Sequence, residues 1–481
     1  MSSDRLQQRR SVLALWSAGR IDRAVAEAWR AFDGNRDDRG TKMLLAQILS
    51  AHPLAATFDR ERDLHHLLND RDVDPSAIAP AGWSLLLRGG NFFRPDPAAT
   101  AARLEKSAFA CDLLRATTVV SLDVELPLTR LRRFLLLSGR EFPRSTAALA
   151  AQAAHNCGAW VFDEEERMAL EDCDPTIRRA YLPERAAAVS GEVFGDAVTS
   201  AVAEQYEGWP YPVWSRAMAE PGALEDALGA LHLESDPPPQ DADILIAGCG
   251  TGHEAAIIAL QCPAARIVAI DISAASLRYG AERCAALRNI EFRQLDLHHA
   301  ARLGRKFDIV VSSGVLHHLA CPEDGWAALA GVLKPGGLMK VMLYSKAARE
   351  NVRAARSAIA DLLGAPVTDD LLRSVRRRLI AAKASPKSRD FFTLPGVHDL
   401  LMHRHEDPFD IPRIQRALAR LELDLVGFRL SDPRNEALYA RENPHDPHKR
   451  DFEAWALLEQ RKPEIFAGMY EFWCWSRRTT E

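Results

Sequence analysis

The run Ala247-Gly248-Cys249-Gly250-Thr251-Gly252 lies between a short apolar stretch and a helical pattern. Glycines let a backbone turn sharply and approach a ligand closely, and a helix N-terminus offers unpaired N–H groups with partial positive charge. Such a turn suits a carboxylate or a phosphate, although a tight strand–helix turn needs glycine in any case. Its G-x-G-x-G spacing is unlike the G-x-G-x-x-G of dinucleotide sites, which argues against an NAD-dependent oxidoreductase, and no Gly-Lys-Ser/Thr ending marks a P-loop. Two carboxylates follow. Asp271 ends the second apolar run, where a carboxylate can accept hydrogen bonds from a ribose diol. Asp296 ends the third, where a carboxylate can accept from an exocyclic adenine amine. Each alone also fits a helix cap. Together, at successive strand ends below a glycine turn, they point to a nucleoside ligand. His317 and His318 follow a fourth run. Histidine can act as a general base near neutral pH, and one of the pair equally fits a packing or capping role.

These residues need a sheet to bring them together. Ile244-Leu245-Ile246-Ala247, Ile267-Val268-Ala269-Ile270, Ile290 to Leu295, Phe307 to Val311 and Leu338 to Leu343 read as strands. Helical stripes such as Leu277, Ala281, Cys284, Ala285 and Trp326, Leu329, Leu333 alternate with them. Near-continuous apolar strands alternating with helices predict a parallel sheet covered on both faces. Before Pro237-Pro238-Pro239 the pattern differs, and residues 1 to about 195 read as all-helical. One 3.6-period stripe runs Ile21, Val25, Ala28, Trp29, Phe32, another Leu104, Ala108, Cys111, Leu114, and a third Leu128, Leu131, Leu135. Gly19, Ala24 and Ala31 have the spacing of a tetratricopeptide hairpin near residues 11–50, and an ordinary helix–turn–helix explains them as well.

With these elements in place, the sequence resembles the class I S-adenosylmethionine-dependent methyltransferases. The resemblance rests on the glycine turn, Ala269-Ile270-Asp271-Ile272-Ser273, Gln294-Leu295-Asp296, Phe307-Asp308-Ile309-Val310 and Leu333-Lys334-Pro335-Gly336-Gly337, in the family's order, over about residues 240–345. It implies an α/β fold: a Rossmann-like seven-stranded methyltransferase sheet behind an N-terminal all-α domain. It also implies S-adenosyl-L-methionine as cofactor. The amino-acid end would lie at Gly248, Cys249, Gly250, Thr251 and Gly252, the ribose at Asp271, and adenine near Asp296 and Leu297, with Ile272 a further cofactor-binding residue. His317 and His318 would face the transferring methyl.

A narrower resemblance extends over most of the chain from about residue 110. Its segments are Gln205-Tyr206-Glu207-Gly208-Trp209-Pro210-Tyr211-Pro212-Val213-Trp214, Ser313 to Leu319, Leu343 to Arg349, Val397 to His403 and Gly468 to Trp473. Together they look like a bacterial group of methyltransferases that often carry tetratricopeptide repeats before the catalytic domain. This chain keeps at most one such repeat, and the resemblance names no methyl acceptor. Tyr206, Tyr211 and Trp214 can offer ring faces and hydroxyls to a sulfonium and its carboxylate, or can anchor a linker. The expected division is a helical domain at 1–195, a lid or linker at 196–240, and a methyltransferase domain at 241–481 with helical insertions at about 346–420 and 431–468. Leu425-Val426-Gly427-Phe428 is the expected sixth strand and Met469 to Trp475 the seventh, inserted antiparallel.

Arg373, Arg376, Arg377 and Arg378, with Lys383, Lys387 and Arg389, form a basic run that reads as a solvated helix face or an attractor for an acidic substrate. His398, Asp399, His403, His405 and Glu406 match no common metal motif, and no metal is expected. Eight scattered cysteines without a C-x-x-C pair suit neither structural zinc nor a disulfide framework. The net charge of −5 over 481 residues marks no polyanion binder, and no nucleic-acid module is evident. No stretch reaches the roughly 20 apolar residues of a membrane span. The opening MSSDRLQQRR has no apolar core behind it, so a cytoplasmic location is expected. The expected partner is a protein or small-molecule methyl acceptor, with contacts to a protein or to a second copy through the helical domain. The rival is a non-catalytic cofactor-binding scaffold that works through that domain.

Overall fold

A computed structural model describes residues 3–90, 92–183, 196–214, 216–219, 222, 224, 228 and 238–477. The sequence boundary at 195 and, within the expected 196–240 segment, residues 215, 220, 221, 223, 225–227 and 229–237 lie outside the described residues. The chain forms two compact units. One is Met1–Arg185 with Ala354–Met402, and the other is Ala186–Arg353 with His403–Glu481.

The first unit is helical. Its core takes in Ala28, Phe32, Leu104, Cys111, Leu114, Leu128 and Leu131 from the predicted stripes, together with Leu45, Leu49, Leu64 and Leu113, which no stripe included. Gly19, at φ +70°, turns the chain between Ser3–Ser17 and Ile21–Gly34. One stripe does not hold as a single helix. Leu104 belongs to Pro97–Lys106, whereas Cys111 and Leu114 belong to Ala108–Ala116. Ser107 stands between them in an extended conformation and caps the second helix by accepting the Ala110 N–H at 3.1 Å. Serine competes with the backbone for hydrogen bonds, which outweighs the periodicity here.

The expected insertion at 346–420 divides between the units. Its residues Ala354–Met402 cluster with the N-terminal helices. The basic run explains why. Arg376, on the helix Asp369–Ala381, is fully buried and reaches both oxygens of buried Glu125 at 2.8 and 2.9 Å, with Ala159 and Phe391 carbonyls as further acceptors. Arg373 is buried against the Gly158 carbonyl at 2.8 Å. The reading of this run as a solvated face is therefore corrected for these two arginines, while Arg377, Arg378, Lys383, Lys387 and Arg389 are exposed. Helical periodicity puts Leu372, Arg373, Val375, Arg376 and Leu379 on the buried face, so the two arginines must find partners there.

The second unit holds one seven-stranded sheet: β1 Asp243–Ala247, β2 Arg266–Asp271, β3 Ile290–Gln294, β4 Phe307–Ser313, β5 Leu333–Tyr344, β6 Leu423–Arg429 and β7 Met469–Ser476. Their order is β3-β2-β1-β4-β5-β7-β6. β1 to β5 run parallel, and β7 pairs antiparallel with both β5 and β6. Leu245 sits between Val268 and Val310 in register, so the central strand is apolar on both sides. The connection reverses direction across β1 and β4. In open α/β sheets a crevice forms outside the carboxyl ends of the strands at such a switch point. The glycine turn leaves β1 and the two histidines leave β4, so the topology puts both at this crevice.

Candidate functional site

The glycine turn is held by β2. Gly248 and Cys249 both donate their N–H to the Ile270 carbonyl, at 2.8 and 2.9 Å. Gly250 donates to Asp271 Oδ2 at 2.7 Å, and Ser273 donates to Asp271 Oδ1 at 2.9 Å. Gly248, Gly250 and Gly252 all have positive φ, a region that L-residues other than glycine rarely adopt. The space is also closed to a side chain. A Cβ on Gly248 would lie 2.3 Å from the Val315 side chain, and one on Gly250 would lie 2.9 Å from the Tyr211 carbonyl oxygen. The helix His253–Gln261 starts directly from Gly252.

Asp271 is buried, and burial pushes its carboxyl above the usual range against the pull of N–H donors from Ser273, Gly250 and Ile272. Each carboxylate oxygen has two acceptor positions, so these bonds leave acceptor capacity for a diol. Asp296 caps the short helix Leu297–Leu303 and accepts from the His298 N–H at 2.9 Å, with the His298 ring Nδ1 at 2.8 Å. Burial pushes Asp296 up, but the His298 bonds and charge outweigh it and hold the carboxyl below its ordinary value. Leu297 is packed in the core with Trp326, and Ile272 is half-buried at the end of β2.

The segment after the helix Ala197–Gly208 crosses the glycine turn. The Thr251 hydroxyl donates to the Pro212 carbonyl at 2.5 Å, and the Trp214 indole donates to the Thr251 carbonyl at 2.9 Å. The Tyr279 hydroxyl donates to the Trp214 carbonyl at 2.7 Å, and Glu207 accepts the Ala275 N–H at 3.1 Å. Tyr211 and Trp214 therefore lie at the turn. The Tyr206 hydroxyl is 3.2 Å from His403 Nε2.

The histidines form a second cluster. His317 is fully buried and tilted against the Tyr344 ring at 3.9 Å between centroids, and its Nδ1 accepts the Tyr344 N–H at 3.3 Å. Burial, then the charges of His318, Arg349 and His403, hold it well below the ordinary histidine range. His318 donates from Nδ1 to the His405 carbonyl at 2.8 Å and stacks on His403 at 3.6 Å and 17°. Burial pushes it down to about 3. The Arg349 guanidinium lies 3.8 Å from the Tyr344 ring centroid and pairs with Glu406, with Nε 2.9 Å from Oε1. Tyr344, Arg349 and His403 were not among the predicted site residues. The signal was present, since all three lie in the segments that carry the narrower resemblance.

Residues 245–339 match the methyltransferase domain family. Over 177 residues the chain is 37% identical to an uncharacterized protein of Synechococcus sp., covering 35% of this chain and 42% of that protein. Over 177 residues it is 30% identical to the release factor glutamine methyltransferase of Koribacter versatilis, covering 36% of this chain and 59% of that enzyme. The chain thus spans about half the length of these relatives. Among solved structures, PKMT2 from Rickettsia typhi in complex with AdoHcy superposes with a TM-score of 0.43 and 15% identity, covering 56% of this chain and 57% of that one. The glycine turn that ends β1, the strand order and the family match over residues 245–339 together make the sheet unit a class I, S-adenosylmethionine-dependent methyltransferase domain.

Proposed function

We propose that the protein transfers a methyl group from S-adenosylmethionine to an acceptor bound beside the ends of β4 and β5. The observation that carries this reading is the glycine turn whose Gly250 N–H is tied to the buried carboxylate of Asp271. The cofactor, when bound, supplies an electrophilic methyl group on a sulfonium. Gly248, Cys249, Gly250, Thr251 and Gly252 would hold its amino-acid end. There the backbone has no room for side chains and the helix N-terminus favours a carboxylate. Asp271 and Ile272 would hold the ribose, and Asp296 and Leu297 the adenine. Tyr211 and Trp214 close the turn from above, and Tyr206 serves the histidine cluster that holds His317 and His318.

The protein's part in the reaction is to align the sulfonium carbon with the acceptor and to exclude water. The relatives' names include a release factor glutamine methyltransferase and a malonyl-[acyl-carrier protein] O-methyltransferase, so their acceptors differ. We read the acceptor as a protein or a small metabolite, and the first hairpin, with Ala24 and Ala31 buried behind Gly19, as tetratricopeptide-like. No helix among the described residues is long and apolar enough to cross a membrane, and we place the protein in the cytoplasm.

The test is calorimetry with S-adenosylmethionine, followed by incubation of methyl-labelled cofactor with fractionated cell extract. Binding together with label in a protein or metabolite fraction supports the reading. Absence of binding sinks it, and binding without any transfer favours a scaffold.

A further inference from the structure

The two neighbouring histidines are held in opposite tautomers. A carbonyl oxygen can only accept, so the contact between His318 Nδ1 and the His405 carbonyl at 2.8 Å puts the His318 proton on Nδ1 and its lone pair on Nε2. A backbone N–H can only donate, so Tyr344 uses the lone pair of His317 Nδ1 and the His317 proton sits on Nε2. His317 Nε2 is buried with no hydrogen-bond partner among the described residues, and the whole side chain has 0% exposure. His317 therefore offers no free lone pair. His318 keeps 5% exposure, and with Nδ1 given to His405 its Nε2 has no hydrogen-bond partner among the described residues.

His405 also sets the third ring. Its backbone N–H donates to His403 Nδ1 at 3.1 Å, which leaves the His403 proton on Nε2, directed to the Tyr206 oxygen at 3.2 Å. One residue's peptide groups thus orient two imidazoles that stack face to face at 3.6 Å. Resting on the methyltransferase reading above, we propose that His318 takes the acceptor's proton through Nε2 and that His403 is the positioning residue for it.

In the step, the acceptor atom bonds the methyl carbon as the carbon–sulfur bond breaks, and that electron pair stays on sulfur as a thioether. The acceptor's proton passes to His318 Nε2 and then to water.

The experiment uses the full chain, methyl-labelled S-adenosylmethionine and fractionated extract, with S-adenosylhomocysteine affinity measured alongside by calorimetry. His318→Gly is expected to lose about 10²–10⁴-fold in transfer, to keep cofactor affinity within about twofold, and to regain part of its rate with added imidazole. His403→Ala is expected to lose about 10–100-fold, as for a misplaced catalytic group, without rescue by imidazole. His403→Phe, which keeps a stacked ring, should restore most of the rate. Transfer at the wild-type rate by His318→Gly, or a loss that imidazole leaves untouched while the cofactor still binds, overturns the assignment. Label recovered only as a carboxylic ester overturns the proton transfer, since a carboxylate has no proton to give. Failure of the wild-type chain to bind S-adenosylhomocysteine instead sinks the methyltransferase reading beneath it, and binding without label in any fraction overturns both.

Discussion

The backbone N–H of Gly250 donates to Asp271 Oδ2 at 2.7 Å, so the carboxylate at the end of β2 shapes the turn at the end of β1. One residue thus holds the loop from the end of the neighbouring strand. A hydrogen bond to a charged group contributes about 1.5–3 kcal/mol. Asp271→Ala is expected to weaken S-adenosylmethionine binding by at least about tenfold in calorimetry. Unchanged affinity would refute the assignment.

Gly250→Ala tests the same turn from the other side. The residue sits at φ +51° with the Tyr211 carbonyl 2.9 Å from where a Cβ would go. Left-handed backbone costs an L-residue about 1–2 kcal/mol before any contact is counted. The variant should melt lower and bind the cofactor more weakly, and a variant matching wild type in both assays would count against the tight approach of residue 211.

Glu125 and Arg376 form a buried pair within the helical unit, 2% and 0% exposed. Removing one partner strands a charge away from water, which costs about 3–5 kcal/mol. Glu125→Leu should destabilise that unit by this order in denaturant titration. Replacing both residues with apolar ones should recover much of the loss, and a single variant as stable as wild type would show that the pair is solvated.

Stability should fall on mild acidification. An unfolded histidine titrates near 6.5, whereas folded His318 is held down at about 3, so the unfolded chain binds the proton first. The stabilising contribution is complete above about pH 6.5 and is lost as pH drops toward the folded value. Between pH 7 and 5 this group accounts for about 2 kcal/mol. A His318→Gln variant should show a shallower slope than wild type in that window. Parallel slopes would mean that His318 titrates normally.

β7 lies between β5 and β6 and pairs with both. Deleting residues 465–481 removes that strand and should abolish cooperative unfolding of the sheet unit. A truncated chain with an intact transition would show that five parallel strands suffice.

The elements that were legible before the structure share a physical cause. Parallel strands buried on two faces are apolar almost throughout, and β1, β2 and β4 were readable for that reason, whereas the edge strand β3 carries Glu291, Arg293 and Gln294 and none of its residues is buried. The glycine turn was readable because positive φ at 248, 250 and 252 restricts residue type within a few positions. The stripe through Leu104 and Leu114 was less reliable, since periodicity does not register the break that a single capping serine imposes at 107.

By itself the sequence determined the strand order's raw material, the glycine turn and the two acids at successive strand ends, because these depend on backbone preferences over short stretches. Only the tertiary structure decided that Arg376 is buried against Glu125, 251 positions away, that the Tyr206 hydroxyl meets His403, and that, among the described residues, His318 rather than His317 keeps a lone pair without a partner. Those outcomes turn on which polar atom meets which partner across long loops. A buried hydrogen bond is set by that meeting, and no local pattern of residue types encodes it.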